Sequence, residues 1–290
     1  MLLAVEKGCR FPEQAFDGRI HSIFNNAINV ISDDSIVKTW VSLLDLSLPN
    51  TPCGLSLPLV KESRFGQCQI GDKVYFRGGI LRFGSDPKLS IDSRSAIEWQ
   101  CPPQVKEYSL YQFKENISHI ENYFVQYINN YIQSEIYTVR YSDYLNHLSI
   151  DIGFNLFNKP EAVAHNLGKG QGLTPSGDDF ICGVLVLLTY ASQYSGFYQS
   201  SCDTARARII KACSLQWHTT TDVSRHYLQQ ACEGDFSQPV AWLVYSIFNS
   251  TSLNEVEEKI NNVFEIGSSS GIDIVSGILF GAHCLQQNID

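Results

Sequence analysis

The chain has 290 residues, of which 44% are hydrophobic and 18% charged, and these fractions predict a globular protein with a well-filled core. Its formal net charge of −9 and the lack of any run of five basic residues argue against nucleic acid or an anionic membrane as a partner. A small anionic metabolite is still compatible with this charge, because a helix terminus binds anions without a basic surface.

The cysteines and the apolar runs give expectations about the cellular location of the protein. Nine cysteines are scattered through the chain, without a Cys-x-x-Cys motif or the Cys/His spacing of a metal site, so we predict reduced thiols in a cytoplasmic protein. Residues 1–5 form too short an apolar run for a signal peptide, and the longest apolar stretch, residues 180–191, is too short to span a bilayer. We therefore expect neither a targeting segment nor a membrane partner.

Residues 1–105 carry the pattern of a small β-rich domain. Short apolar runs alternate with turn residues, a spacing that favours a small β-barrel or sandwich. Gly71-Asp72 and Gly78-Gly79 flank one such run and predict a hairpin at the edge of the sheet. The predicted strands are residues 28–30, 37–44, 55–60, 73–76 and 80–83.

From residue 106 the pattern changes to helical periodicity, which predicts a separate all-α domain at residues 106–290 and an α+β fold overall. The predicted helices are residues 113–133, 141–158, 160–166, 177–194, 203–216, 222–232, 239–249, 253–264 and 271–287. The fourth and the last are apolar nearly all round, which is typical of buried helices. Gly183 on the fourth, with Gly277 and Gly281 on the last, would let their backbones come close, so we expect these two helices to pack together.

The same pattern opens both of these apolar helices. Ser-Gly-x-Asp, followed by two apolar residues, one small residue and Gly, occurs at residues 176–183 and again at 270–277, and a glycine-rich turn precedes each copy. The first backbone N–H groups of a helix are unpaired, and the helix dipole adds positive charge there. Two such helix starts therefore predict two backbone donor clusters aimed at one anionic ligand.

A purely structural interpretation explains part of this repeat. Ser176 with Asp179, and Ser270 with Asp273, match the capping box, in which two side chains satisfy the N–H groups of a helix start. The glycine-rich run and the additional Asp178 exceed what capping needs, and they favour a functional site.

The repeat supplies most of the candidate site. Asp178, Asp179 and Asp273 are the candidate catalytic residues. Carboxylates beside a bound phosphate commonly hold magnesium, but one of them could instead orient a substrate amide, or all three could bond only to backbone, so no metal ligand is assigned and the cofactor stays open. The candidate substrate-binding residues are Gly170, Gly172, Thr174, Ser176, Gly177, Thr219, Thr220, Ser269, Ser270 and Gly271.

Thr219 and Thr220 belong to a polar run at residues 217–224, between two predicted helices. Capping of the second helix accounts for part of this run. If the run faces the same pocket, its hydroxyls would act as neutral donors and His218 could serve as a general acid or base. His165, just before the glycine-rich turn, is the other histidine considered.

The run Gly170-x-Gly172-Leu-Thr-Pro-Ser-Gly-Asp-Asp-Phe180-x-x-Gly183 resembles a bacterial family first catalogued as a domain of unknown function. One branch of that family is AllH, a subunit of oxamate carbamoyltransferase in anaerobic allantoin breakdown, a route of purine catabolism. The resemblance extends to residues 219–234 and 267–281, and it reaches residues 21–29, so it covers nearly the whole chain.

The resemblance to this AllH-like family implies carbamoyl transfer between oxamate, or its carbamoylated form oxalurate, and phosphate, with carbamoyl phosphate as the other reactant. It also implies that the chain works beside partner subunits. The motifs lack a nearby arginine to grip a dianion, which argues against a self-sufficient transferase. Ser268 stands where the family often has His or Thr, which leaves the substrate open.

Three functions therefore stay open. The paired motifs favour an enzyme, or the ligand-binding subunit of one, for a small anionic carboxylate, amide or phosphorylated metabolite. The adjacent Asp178 and Asp179 beside a glycine-rich turn would suit a magnesium- or nucleotide-dependent phosphotransfer enzyme. The third function is that of a non-catalytic interaction protein, in which the motifs only set helix packing.

Overall fold

The computed structural model describes residues 1–34, 38–58, 68–84, 89–99, 101–103, 109–132, 141–147, 150, 153–193 and 199–287. The chain forms two compact units, Met1–Cys101 and Pro102–Asp290, each with its own hydrophobic core. The predicted boundary between residues 105 and 106 lies outside the described residues. The first unit is built from strands and the second from helices, so the α+β fold class is confirmed.

In the described residues of the first unit, ten strands form one curled sheet. They are β1 (Leu2–Leu3), β2 (Glu6–Lys7), β3 (Phe16–Ile23), β4 (Ala27–Ser32), β5 (Trp40–Asp45), β6 (Gly54–Leu57), β7 (Lys73–Arg77), β8 (Ile80–Phe83), β9 (Ser90–Asp92) and β10 (Ile97–Glu98). Their order across the sheet is β1-β9-β8-β7-β3-β4-β5-β6-β2-β10.

The first residues of the chain join the two ends of this order. β1 pairs with β9 and β2 pairs with β6, although only two residues separate β1 from β2. Between them, the Ala4 N–H donates to the Asp92 carbonyl and the Val5 N–H to the Ser56 carbonyl, both at 2.9 Å. The sheet therefore curls until a single segment pairs with both of its ends.

The sequence predicts five of these strands, of which β4, β5 and β6 are short apolar runs that are buried almost throughout and β7 and β8 alternate between core and solvent. In β7, Val74 and Phe76 are buried while the three residues around them are exposed. The predicted hairpin joins β7 to β8 through Gly78 and Gly79, whose φ angles of 56° and 78° suit glycine. Its predicted place at the sheet edge is wrong, because β7 also pairs with β3 and β8 with β9. Residues 37 and 59–60 of the predicted strands lie outside the described residues.

The longest strand, β3, was not predicted. Its sequence, Phe-Asp-Gly-Arg-Ile-His-Ser-Ile, contains a glycine and several polar residues, which are poor strand signals. The structure explains the glycine, since a Cβ on Gly18 would lie 2.4 Å from the carbonyl oxygen of Ile31 in β4. Close pairing with the neighbouring strand thus requires a residue that weakens the sequence pattern.

Eight α-helices make up the described part of the second unit. They are α1 (Leu110–Ile132), α2 (Tyr141–His147), α3 (Ser176–Ala191), α4 (Gln199–Ser214), α5 (Asp222–Glu233), α6 (Gln238–Asn249), α7 (Leu253–Phe264) and α8 (Ser270–Gln287). Pro160–Asn166 and Trp217–Thr219 form 3-10 helices. Each predicted helix has a counterpart, but the prediction for residues 141–158 is wrong in its second half, because α2 ends at His147 and residues 153–158 form a bend and a turn. The predicted residues 133, 148–149, 151–152 and 194 lie outside the described ranges. Among the helices that the structure describes, none has both the length and the apolar character needed to cross a bilayer.

The predicted packing of the two apolar helices, α3 and α8, is confirmed. A Cβ on Gly183 would lie 2.0 Å from the carbonyl oxygen of Ile274, and a Cβ on Gly277 would lie 2.0 Å from that of Phe180. The two backbones are therefore in direct contact, with glycine facing glycine at the crossing. This crossing brings the starts of both helices, and with them both copies of the repeated motif, close to each other.

Candidate functional site

The two copies of the repeated motif bond to each other. Thr174, in the turn before α3, has its hydroxyl 2.9 Å from the hydroxyl of Ser270, the first residue of α8. Ser270 also hydrogen-bonds to Asp179, and Ser176, the first residue of α3, hydrogen-bonds to Asp273. The aspartate of each copy thus pairs with the serine of the other copy.

This reciprocal pairing differs from the capping box that the sequence allows. The N-cap residue of α3 is Pro175, which makes no side-chain cap bond, and Ser176 already lies within the helix. A capping box would instead place the serine before the first turn and bond it within its own copy. For α3 the capping interpretation is therefore wrong, and the serine and aspartate serve contacts between the two helices.

One backbone N–H group at the start of each helix is used inside the chain. The N–H of Gly177 donates to the Lys169 carbonyl at 2.8 Å, and the N–H of Gly271 donates to the Ile266 carbonyl at 3.0 Å. The chain before each helix folds back so closely that its own carbonyl groups accept these hydrogen bonds. For these two N–H groups the predicted free backbone donors are wrong.

Asp178 holds the glycine-rich turn to helix α5. It is 1% exposed, and its Oδ1 accepts the N–H of Gly168 at 2.6 Å. Its Oδ2 accepts the hydroxyl of Ser224 at 2.5 Å and the hydroxyl of Thr220. Burial raises the pKa of Asp178, although these three bonds lower it. Both oxygens are thus occupied by donors from the protein, so the carboxylate fixes three segments of the chain in place.

The glycines of the turn are required by its geometry. Gly168 and Gly170 have φ angles of 76° and 112°, a region that residues with a side chain rarely adopt. A Cβ on Gly168 would also lie 2.2 Å from the carbonyl oxygen of Thr219, so the turn packs directly against the polar run before α5. Gly170 and Gly172 themselves are exposed.

Asp179 and Asp273 lie beneath the hydroxyls, with exposures of 8% and 0%. The hydroxyl of Tyr144 in α2 donates to Oδ1 of Asp273 at 2.8 Å. Among the residues that the structure describes, Oδ2 of Asp179 and Oδ2 of Asp273 are both buried without a hydrogen-bond partner. Two unpaired carboxylate oxygens in one buried site are costly, and such groups commonly mark function.

Burial sets the ionisation of this pair. It raises the pKa of Asp179 well above the usual range, and the negative charges of Asp273 and Asp178 raise it further, against hydrogen bonds from Ser270 and Thr174. Burial also raises the pKa of Asp273, while bonds from Tyr144, Ser176 and Ser269 lower it. Burial therefore makes the ionised form of both carboxyl groups less favourable than in water.

Comparison with known protein families shows to which family the chain belongs. Residues 166–282 match the family described as oxamate carbamoyltransferase subunit AllH, and residues 4–98 match the AllH family N-terminal domain. The chain belongs to the AllH family. The two matches cover most of its length, and the first of them includes both copies of the repeated motif. No solved structure matches the chain.

Within this AllH-family fold, the predicted site residues have different contacts. Thr174, Ser176, Ser269 and Ser270 hydrogen-bond to the buried pair. Thr220 reaches only Asp178. The Thr219 hydroxyl donates to the Gln216 carbonyl at 2.8 Å, within its own turn. Gly177 and Gly271 act through close packing, since a Cβ on either would lie 1.9 Å from a backbone carbonyl oxygen.

The polar run before α5 has the capping role that its sequence suggests. Thr221 is the N-cap of α5, and its hydroxyl accepts the N–H of Ser224 at 3.0 Å. His218 and His165, which the sequence raised as acid–base candidates, are both exposed.

Two residues that contact the aspartates were not assigned to the AllH-family site from the sequence. Tyr144 lies 129 residues before its partner Asp273, and no local pattern links them. Ser224 was visible as the last residue of the polar run, but only the fold shows that it bonds to Asp178. In the described parts of the chain, no group of three or more His, Cys, Asp or Glu side chains is arranged to hold a metal ion.

Proposed function

We propose that this chain is a subunit of an oxamate carbamoyltransferase and that its paired motifs hold the reacting ligand. The observation that carries the proposal is the reciprocal pairing of the two motifs, which collects four hydroxyl groups and two buried carboxyl groups at one helix crossing. The AllH-family match supports the reaction class.

The arrangement suits carbamoyl transfer in two respects. Ser176, Ser269 and Ser270 are partly exposed, so a ligand can reach their hydroxyls from solvent, whereas the carboxyl groups beneath them are buried. Hydroxyl groups both donate and accept, so they can bind the oxygens of a carboxylate or phosphate and also the N–H groups of a carboxamide. Fixed donors around a reacting carbonyl stabilise the negative charge that develops there.

In this proposal, a partner subunit supplies a positive charge that the described site lacks for binding phosphate. A phosphate dianion is commonly gripped by a bidentate cation. Lys169 is the basic residue of the glycine-rich turn, and its ammonium group donates to Oδ1 of Asn166 at 3.2 Å. We propose that a partner subunit contributes the cation that binds the phosphate group.

The variant Ser270→Ala tests the proposal. Removing the hydroxyl takes away the bond between the two motifs and a contact to the ligand, a loss of ~1–3 kcal/mol, so kcat/KM should fall about 5- to 150-fold. The measurement is phosphate release from carbamoyl phosphate in the presence of oxamate, with the chain purified alone and together with the other subunits of its complex.

Ser214→Ala is the matched control, because Ser214 is exposed at the end of α4 and its hydroxyl donates to the Lys211 carbonyl. Its kcat/KM should stay within about twofold of that of the parent chain. The proposal is wrong if the assembled complex releases no phosphate, or if Ser270→Ala is as active as Ser214→Ala.

A further inference from the structure

The hydroxyl groups next to Asp179 already use their protons inside the protein. Ser270 and Thr174 both hydrogen-bond to Asp179, and their two hydroxyl oxygens lie 2.9 Å apart. A hydroxyl group has a single proton to donate, whereas a carboxylate only accepts hydrogen bonds. The two protons of Ser270 and Thr174 are therefore used in the three contacts within this group, and neither is left for a ligand.

The hydroxyl groups next to Asp273 are in the same position. Tyr144 donates to Oδ1 of Asp273 at 2.8 Å, and Ser176 and Ser269 also hydrogen-bond to Asp273. Each of these three hydroxyls gives its one proton to the carboxylate, so only the lone pairs on its oxygen can bind another group.

Two carboxylate oxygens still lack a donor. Oδ2 of Asp179 and Oδ2 of Asp273 are buried, and neither accepts a hydrogen bond from any residue that the structure describes. The side chains that carry them are 8% and 0% exposed. An acceptor without a donor is unfavourable in a protein interior. The described site therefore has an excess of acceptors and a shortage of donors.

We propose that the hydroxyl oxygens of Ser176, Ser269 and Ser270 bind the N–H end of a primary amide, and that Asp179 and Asp273 determine this specificity. The three serines are partly exposed, so a ligand can reach them from solvent. An amide nitrogen brings two N–H donors to a site that lacks donors. A carboxylate or phosphate group would instead bring further lone pairs and negative charge next to two buried carboxyl groups, which is unfavourable.

This inference rests on the proposed function and narrows it. A hydroxyl group can donate or accept, and at this site the aspartates select the accepting role. Oxamate has an amide at one end and a carboxylate at the other, so its amide end faces the serines and its carboxylate points away from them. The donors for the reacting carbonyl, like the cation for the phosphate group, then come from outside this group of hydroxyls.

Calorimetric titration of the full chain with three ligands of similar shape tests this specificity. Oxamate carries an amide, pyruvate has a methyl group in place of the amide nitrogen, and oxalate has a carboxylate oxygen there. Pyruvate has the same charge as oxamate, so it separates the effect of the N–H groups from that of charge. Oxamate should bind at least about tenfold more tightly than either of the other two, a difference of ~1.4 kcal/mol.

Asp179→Asn and Asp273→Asn should lower this preference to about threefold or less. The asparagine amide can donate to the serine oxygens, so the serine protons become available to a ligand and the excess of acceptors falls. Asp203→Asn is the same substitution at an exposed position of α4, and it should keep the preference of the parent chain. The comparison of ligands on the parent chain stands without these variants if one of them does not fold.

The inference is overturned if oxamate binds no more tightly than pyruvate and oxalate to the chain and to its assembled complex, or if it binds to neither. It is also overturned if folded Asp179→Asn and Asp273→Asn both keep the preference of the parent chain. Phosphate release by the complex is a separate measurement. The preference without phosphate release contradicts only the proposed function, and phosphate release without the preference contradicts only this inference.

Discussion

Gly277→Ala should destabilise the helical unit by about 3 kcal/mol or more, the upper end of the cost of overpacking a core. The new Cβ would lie 2.0 Å from the Phe180 carbonyl oxygen and 3.1 Å from the Cα of Gly183. Both atoms belong to the backbone of α3, so no side-chain rotation relieves the clash and the two helices have to separate. In a helix, alanine is more favourable than glycine by ~1 kcal/mol, so helix propensity alone would stabilise the variant. A large loss of stability would therefore come from the clash with α3.

Gly281→Ala, one turn further along α8, is the matched control. Its Cβ would meet the end of the Leu187 side chain at 2.8 Å, and that side chain can rotate away. We expect a change within about 1 kcal/mol of the parent chain, since helix propensity and the repacked leucine act in opposite directions. Thermal unfolding of both variants makes the comparison. Equal melting temperatures would show that α3 and α8 do not cross at Gly277.

Asp178→Ala should destabilise the chain by about 3–5 kcal/mol, the range found when one partner of a buried charged contact is removed. The substitution leaves the Gly168 N–H and the hydroxyls of Thr220 and Ser224 without their acceptor. The glycine-rich turn is then no longer fixed to α5, so it should also be cleaved faster in limited proteolysis. Urea unfolding measures the first effect, and the rate of proteolysis measures the second.

Asp222→Ala provides the comparison for this variant. Asp222 also lies in the first turn of a helix, but it is exposed and forms a surface ion pair with Arg225 at 3.0 Å. Such pairs contribute ~0–1 kcal/mol, so little stability should be lost. If Asp178→Ala unfolds at the same urea concentration as Asp222→Ala, the anchoring role of Asp178 is contradicted.

The sequence predicts most of the helices well because their signals are local. α7 has the predicted bounds, 253–264, and the Gly-x-x-x-Gly spacing of Gly277 and Gly281 correctly indicated that α8 packs closely against another helix. The strand β3 was missed because Gly18 and its polar residues serve pairing with neighbours that the local pattern does not contain.

The sequence predicted which residues lie at the site better than which of them hydrogen-bond to one another. The repeat identified the serines and aspartates, but a capping box and a pairing between helices use the same residue types at the same spacing. Only the crossing of α3 and α8 decides that Ser176 serves Asp273 and that Ser270 serves Asp179. Free backbone donors were expected because sequence patterns do not reveal that the carbonyl of Lys169 already accepts the N–H of Gly177.

The bond between Thr174 and Ser270 joins residues that are 96 positions apart, which has a consequence for synthesis of the chain. At ~5–20 residues per second, a ribosome adds Ser270 about 5 to 20 s after Thr174. During that interval α3 has been made while α8, which covers its glycine face, has not. The nascent chain therefore presents an apolar helix without its partner for many seconds, and protection of α3 by a chaperone would matter most in that interval.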